Sequence, residues 1–382
     1  MPDPSPLSPT SPHLRGLESG GWSPAKLALQ RFQQHRIAFA SVFIVAVLYL
    51  LAAGAEFFAP YTPQSRDINH AYCPPQLPRF SIQSGLHVLT MRVTIDPLTF
   101  KRTYLEDPLQ PIALGFWVPG ESYHLGGLFP ANHHFLGVKT RPNQLPTTAL
   151  PRFYFLGADA IGRDIFSRLI AGTRISLSIG LIAITLTLFL GVTIGGLSGY
   201  CGGITDTLIQ RLIEVVNAFP QIPLWLAFGA ALPAHWPPLT TYFAITLVLS
   251  LLSWTSLARV VRGKILALRE EDYATAARLL GASHLRIFCR HLLPGVASHI
   301  IVVTTMSVPA MIIGETSLSF LGLGLRAPVV SWGVMLHDCL NLPTIVNYPW
   351  LLMPAVLIVL TVLAFNFLGD GLRDAFDPYT AK

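Results

Sequence analysis

The sequence predicts an all-α membrane protein of six transmembrane helices with both termini cytoplasmic, plus a small β-containing extracytoplasmic insertion between helices 1 and 2. Three observations predict it. Hydrophobic residues make up 52% of the 382-residue chain and charged residues 12%, where a soluble domain carries about 25% charged residues. Several apolar runs reach roughly 20 residues, long enough to cross a hydrocarbon core about 30 Å thick as a helix. Lys and Arg also concentrate in connections that would share one side of the membrane, the bias that orients spans.

Residues 1–36 form the first element, a cytoplasmic tail whose opening, MPDPSPLSPTSPHLRGLESGGWSP, is rich in Pro, Ser and Gly and suits disorder. The first span covers 37–58, Ile37 to Phe58. Ala53-Gly54-Ala55 looks like a signal-peptide cleavage site, but a signal peptide has a short charged start and an apolar run of about 7–15 residues. Here 36 residues precede a run of 22, so the run reads as an uncleaved span. The other spans fall at Ile175 to Gly199, Leu212 to Leu232, Leu239 to Val261, Val296 to Ile313 and Trp350 to Leu368. Asn217, Pro220, Gln221 and Pro223 interrupt the third, a break that packed bundles tolerate where neighbours satisfy the freed backbone groups. Asn217 and Gln221 then either line a pathway, as residues of broken helices do, or serve helix packing.

Orientation follows from the short loops. The connection between spans four and five carries Arg259, Arg262, Lys264, Arg269, Arg278, Arg286 and Arg290, and the tail before span one adds Lys26, Arg31 and Arg36. The connection PAHWPP carries neither Lys nor Arg, and the stretch from Glu315 to Tyr348 carries only Arg326. The formal charge of +6 is therefore read as a topology signal, and nucleic acid is not expected as a partner.

Residues 60–150 are the one large insertion. It is dense in Pro, and VLTMRVTIDPLTFKRTYL alternates apolar and polar residues as a half-exposed strand does, with Asp96-Pro97 as its turn. His124, His133 and His134 lie here without Cys or carboxylate at ligand spacing, so no metal is expected and the histidines read as surface or packing residues. Cys73 and Cys339 would share the oxidising side, making a disulfide between them possible, whereas Cys201 and Cys289 would face the reducing cytoplasm.

Residues 155–382 hold the remaining spans, and the connection at 262–294 contains EDYATAARLLGASHLRIFCRHLLPG, residues 271–295. Glu271 to Leu280 favours helix, Gly281 supplies the left-handed position that ends one, and Ser283 caps a second helix from His284 to Leu293 that Pro294 stops. Tyr273, Ala276, Ala277 and Leu280 fall at i, i+3, i+4 and i+7 and form an apolar face with small residues at its centre. Periodicity alone leaves two readings open: a face that receives another protein, or an amphipathic helix resting on lipid headgroups.

This segment resembles the cytoplasmic loop of the membrane-spanning permease subunits of ATP-binding-cassette importers. Their pattern is Glu-Ala-Ala, three residues, Gly, then Leu-Pro about a dozen residues later; Ala276, Ala277, Gly281, Leu293 and Pro294 match, and Thr275 stands at the Glu position. FLGADAIGRDIFSRLIAGTRISL, GYCGGITDTLIQRLIEVVNAFP and SLSFLGLGLRAPVVSWG resemble segments of the dipeptide, oligopeptide and nickel branch, specifically its C-type permease. The resemblance covers roughly residue 155 to the C-terminus and span one, and leaves most of the insertion aside.

The resemblance implies a subunit of the bacterial inner membrane that carries peptides or similar small solutes by alternating access. It implies four kinds of neighbour: the lipid bilayer, a homologous second permease, two ATPase subunits holding ATP and Mg, and an extracytoplasmic solute-binding protein. It also implies that Asp272, Tyr273, Thr275, Ala276, Ala277, Arg278, Leu280, Gly281 and Ala282 meet the ATPase. Asp159, Arg163, Asp164, Arg168 and Arg174 precede span two in what reads as a helical, amphipathic stretch, either part of an external gate or, the plainer reading, an interfacial salt-bridged helix. Glu315 follows span five, where a carboxylate either meets a peptide's amino end or faces water, the preferred reading.

No Gly-x-x-x-x-Gly-Lys-Ser/Thr loop is present to cradle nucleotide phosphates. Neither His-Glu-x-x-His nor Gly-x-Ser-x-Gly occurs, and no catalytic residue or bound cofactor is assigned to this chain. A secondary transporter or channel driven by ion gradients is the alternative, but it calls for intramembrane ionisable groups or an inverted repeat, and the sequence offers no repeat and few buried charges. A membrane-anchored enzyme built on the insertion lacks a catalytic constellation.

Overall fold

Helix α1 (Pro24–Gln34) leads into α2 (Arg36–Ala53), the first span, across His35, whose Nδ1 accepts from the Ala38 amide. The computed structural model describes residues 24–82, 84–95, 97–98, 102–139, 151–233 and 235–377. The opening Pro-rich segment expected to be disordered lies outside them, as does Asp96 of the expected turn. The tail expectation is corrected from Pro24 onward: α1 is helical because Phe32 finds a buried seat against Ala38 and Ala375. After Gly54 a short turn of helix, α3 (Ala55–Phe58), completes the predicted first span.

The insertion folds as a four-stranded antiparallel sheet in the order β1 (Arg79–Ser81), β2 (Gly85–Ile95), β3 (Arg102–Leu125) and β4 (Phe129–Val138). The alternating segment is its β2–β3 hairpin. Pro cannot donate to a ladder and is confined to edges and bulges. Accordingly the β2–β3 register shifts between Leu89 and Thr90, where Leu89 pairs with Pro111 and Thr90 with Asp107. Val88, Ile112, Leu114 and Phe153 form its small core.

Helix α4 (Ile165–Cys201) has 37 residues, about 55 Å at 1.5 Å per residue, so it begins ten residues before the span expected from Ile175. The polar first turns read as something other than membrane, yet Ser167 and Arg168 are buried by protein. The third span is not straight: α5 (Gly203–Asn217) and α6 (Gln221–Ala231) are bent by 79° at the break that ends in Pro220. Among the described residues, counting that pair as one gives up to six spans, and otherwise five helices are long and apolar enough to cross.

Helix α7 (Pro238–Leu268) packs along α4. Gly191, Gly195 and Gly199, four residues apart, face it; a Cβ at Gly195 would lie 2.4 Å from the Ala258 carbonyl oxygen and one at Gly199 2.7 Å from that of Arg262. Small residues at this spacing let helix backbones approach within a membrane. Then come α8 (Asp272–Leu279), α9 (His284–Arg286) and a π-helical turn (Ile287–Leu292). From His284 onward the helix runs without interruption into α10 (Leu293–Phe320). Pro294 therefore does not stop the second helix, as expected from sequence; the wide turn before it accommodates a residue that has no N–H to donate.

Short helices α11 (Trp332–His337) and α12 (Leu342–Asn347) precede the last span, α13 (Met353–Phe376). The main core, with Leu177, Ile245, Leu249, Ile312, Trp332 and Phe365, joins α4, α7, α10, α11 and α13. Outward-facing rings such as Phe43, 70% exposed, and Phe189, 66% exposed, suit helices whose surroundings are lipid.

Candidate docking segment and polar clusters

Helix α8 is short and would be marginal alone; its neighbours hold it. Ala274 and Ala277 are buried with Leu257, Val261, Ile265, Ile287, Leu292 and Val296. Its end is a complete Schellman motif. The Gly281 amide donates to Arg278 O (3.0 Å) and the Ala282 amide to Ala277 O (3.1 Å), with Gly281 at φ +77°. Ser283 Oγ then accepts from the Arg286 amide, starting α9.

The flanks of α8 are tied to the end of α4. Arg269 Nη1 donates to the carbonyls of Gly199 (3.1 Å) and Tyr200 (3.3 Å), and Tyr200 Oη meets His284 Nδ1 at 2.7 Å. Arg262 grips Asp206 with two 2.5 Å contacts, and Ser198 Oγ donates to the same carboxylate. An open groove of about 750 Å³ lies alongside, lined by Tyr200, Arg278, His284, Leu285 and Phe288 among others.

Among the residues singled out from the sequence, Asp272, Tyr273, Thr275, Ala276, Arg278, Leu280 and Gly281 are exposed and Ala282 is half-buried. Ala277 is the exception: it faces the protein's own core, so the predicted apolar face is rotated. Leu279, 83% exposed beside Leu280 at 87%, replaces it on the free side. The i, i+4 count grouped Ala277 with Ala276, and only the neighbours that cover Ala277 separate them.

At the other end of α4 the polar residues form caps and pairs. Asp159 Oδ1 accepts from the amides of Ile161 and Arg163, and its Oδ2 meets Arg163 Nε at 2.6 Å and Arg168 Nη1 at 2.5 Å. Asp338 Oδ2 approaches Arg168 at 3.8 Å. Asp164 caps α4, accepting from the amide and hydroxyl of Ser167 at 2.7 and 2.6 Å. Burial pushes the Asp164 carboxyl up to about 6, against the lowering by those Ser167 bonds. The expected helical stretch is in fact a turn up to Asp164, because Gly157 and Gly162 sit at φ +85° and +76° and a Cβ at Gly162 would strike Asp67 O at 1.8 Å.

Glu315 corrects the preference for water. It lies inside α10 and is wholly buried, and its carboxylate accepts from the hydroxyls of Ser319 (2.8 Å), Ser331 (2.8 Å) and Ser176 (3.4 Å). Those oxygens in turn accept the amides of Leu325, Val334 and Trp332. One carboxylate thus organises the backbone between Leu325 and Val334; of its partners only Ser319 is close in sequence, with Ser176 and Ser331 brought in by the fold.

Asn217 accepts from Thr255 Oγ1 at 3.0 Å and Gln221 donates to Ser253 Oγ at 3.0 Å, tying the break between α5 and α6 to α7 while both residues stay exposed. Cys73 and Cys339 are both free and buried in separate apolar clusters, so the possible disulfide is not formed. Cys339 Sγ donates instead to Leu351 O. His134 bridges Ala59 O and Glu121 O through its two ring nitrogens, a packing role that seats the sheet on the end of the first span.

A multi-pass bundle with a short, pinned and exposed helix at one end suits a membrane transport subunit, and the matches to known proteins are in agreement. Residues 191–382 match the family of binding-protein-dependent transport system inner membrane components, and residues 23–75 match the N-terminal transmembrane domain of oligopeptide transport permease C. The chain belongs to the first of these families and is a permease subunit of an ATP-binding-cassette importer in the inner membrane. It is 40% identical over 230 residues to the oligopeptide transport permease OppC of Bacillus subtilis, covering 60% of this chain and 73% of that one. It is 40% identical over 254 residues to the dipeptide permease DppC of the same organism, covering 66% and 76%. It is 42% identical over 238 residues to the glutathione permease GsiD of Pectobacterium atrosepticum, covering 62% and 75%. Neither family match reaches residues 76–190.

Proposed function

We propose that this subunit forms half of a pathway for peptides or similar small solutes, completed by a homologous second permease, and works by alternating access. Two ATPases holding ATP and Mg dock at the α8 end, and a solute-binding protein delivers cargo at the sheet end. The observation that carries the reading is α8 itself: a short helix locked to α4 and α7, ended by Gly281, presenting Tyr273, Ala276, Leu279 and Leu280 to a partner. A helix so held passes a rigid-body movement to the spans, where a loose loop would absorb it. Asp272, Thr275, Arg278 and Ala282 complete the docking surface, with Ala277 acting from behind as packing.

In this reading both termini and α8 are cytoplasmic. The test is purification from membranes: the subunit co-isolates with a second permease and two ATPases, and uptake requires ATP. Transport by this chain alone without ATP overturns the proposal.

A further inference from the structure

We infer that the β3–β4 hairpin is an interfacial anchor that lies in the headgroup region of the bilayer beside the first span. The level is set by α2 and α4. Arg174 donates to the carbonyls of Ala52 and Ala53 and pairs with Glu56, so charge and open backbone groups gather where the apolar part of α2 ends. Phe57 and Phe58 follow at once, within about one helical turn of that pair.

Rings on the sheet continue from them. Phe57 lies 5.4 Å from Trp117 and 6.0 Å from Phe135, Phe58 lies 5.7 Å from Phe135, and Phe135 lies 5.4 Å from Phe116. The face is therefore continuous with the end of a transmembrane helix. It is also uncovered: Phe116 is 64% and Trp117 67% exposed.

The hairpin tip comes near the same level, because the Gly126 backbone lies close enough to the Glu56 carboxylate to favour its charged form. Its sequence, LGGLFPA at 125–131, carries no charge, and Leu128 and Phe129 are 77% and 68% exposed. Turns in water favour polar residues around their Gly, whereas Trp gathers at membrane interfaces and Trp, Phe and Leu make up the buried face of segments that lie in them. Trp117 is further held at φ +55°, a left-handed conformation that a bulky residue rarely adopts. Phospholipid at the headgroup and acyl boundary is the occupant this chemistry fits.

The test uses the full complex in lipid nanodiscs. A nitroxide is placed by Leu128→Cys, with Cys201 and Cys289 changed to Ser, and its relaxation by oxygen and by a water-soluble nickel chelate is compared with a label at exposed Thr103. The expected result is an oxygen-to-nickel ratio several-fold above that at Thr103. A ratio equal to Thr103 means the tip stands in water, and low access to both reagents means that the second permease or the binding protein covers it; either result overturns the inference. Trp117→Phe supplies an independent measurement that keeps the ring. The emission lost in the variant is quenched by lipids brominated near the headgroup if the inference holds, and is insensitive to them if it does not.

Discussion

Glu315 shows how much one buried side chain can organise. Removing it leaves three serine hydroxyls without their acceptor, and loss of hydrogen bonds to a charged or buried polar group costs on the order of 1.5–3 kcal/mol each before relaxation. Glu315→Ala is therefore expected to lower the melting temperature of the purified complex sharply, and Glu315→Gln, which keeps an acceptor oxygen, to lower it less. A melting temperature unchanged in Glu315→Ala would show that the network carries little. Asp164 gives a pH prediction. Its folded carboxyl is raised from 3.8 to about 6 by burial, so the folded state holds its proton more tightly than the unfolded chain. The stability it contributes is complete below 3.8 and is lost as pH rises through about 6. Asp164→Asn, which keeps an oxygen for the Ser167 cap, should remove that decline; melting curves of both proteins from pH 4 to 7 measure it. The role of Asp164 as a cap is local and legible in Asp-x-x-Ser, whereas its burial is not.

At the scale of elements, the turn after α8 and the α4–α7 contact make opposite demands on glycine. A Cβ at Gly281 meets nothing within 4 Å, so the cost of substitution there is conformational, about 1–2 kcal/mol for a residue forced into the left-handed region. Gly281→Val should strain the turn and separate ATP hydrolysis from uptake, while Gly281→Asn, which tolerates that conformation, should retain most coupling. Equal uptake per ATP in both variants would argue against α8 as the moving link. At Gly195 the obstacle is steric, because even Ala would press on the Ala258 backbone. Gly195→Ala should lower thermal stability without changing which partners co-purify. Chain-local chemistry made the Gly281 turn readable in advance. The Gly191, Gly195 and Gly199 stripe has the spacing of a packing face, but its partner, α7, lies some 60 residues onward.

For the whole molecule, the insertion is part of the end of the bundle at which α4 begins. Tyr61 N bonds to Ser167 Oγ at 3.1 Å, Asp67 N to Gly162 O at 3.0 Å, and Glu121 accepts from Thr62 and Ser65 beside Arg152. The sheet and the start of α4 are thus one packed unit, although the sequence showed only an alternating segment in a Pro-rich loop. The proposed orientation has a direct check. Cys201 and Cys289 are exposed and lie towards the α8 end, and Cys73 and Cys339 are buried. A membrane-impermeant maleimide should leave intact cells unlabelled at Cys201 and Cys289 and react once the membrane is opened. Labelling of intact cells would reverse the topology.

The sequence by itself determined what depends on neighbours along the chain: apolar run length, basic-loop bias, the β2–β3 alternation, and the helix, glycine, helix layout around Gly281. Those properties need only helical or strand periodicity and the turn preferences of single residues. The tertiary structure alone decided which face of α8 is free, that Glu315 is sealed among three serines, that Cys73 and Cys339 remain apart, and that Pro294 lies within a continuous helix. Each of these depends on segments distant in sequence covering, or failing to cover, a side chain, and burial of that kind is set only when the packed elements meet.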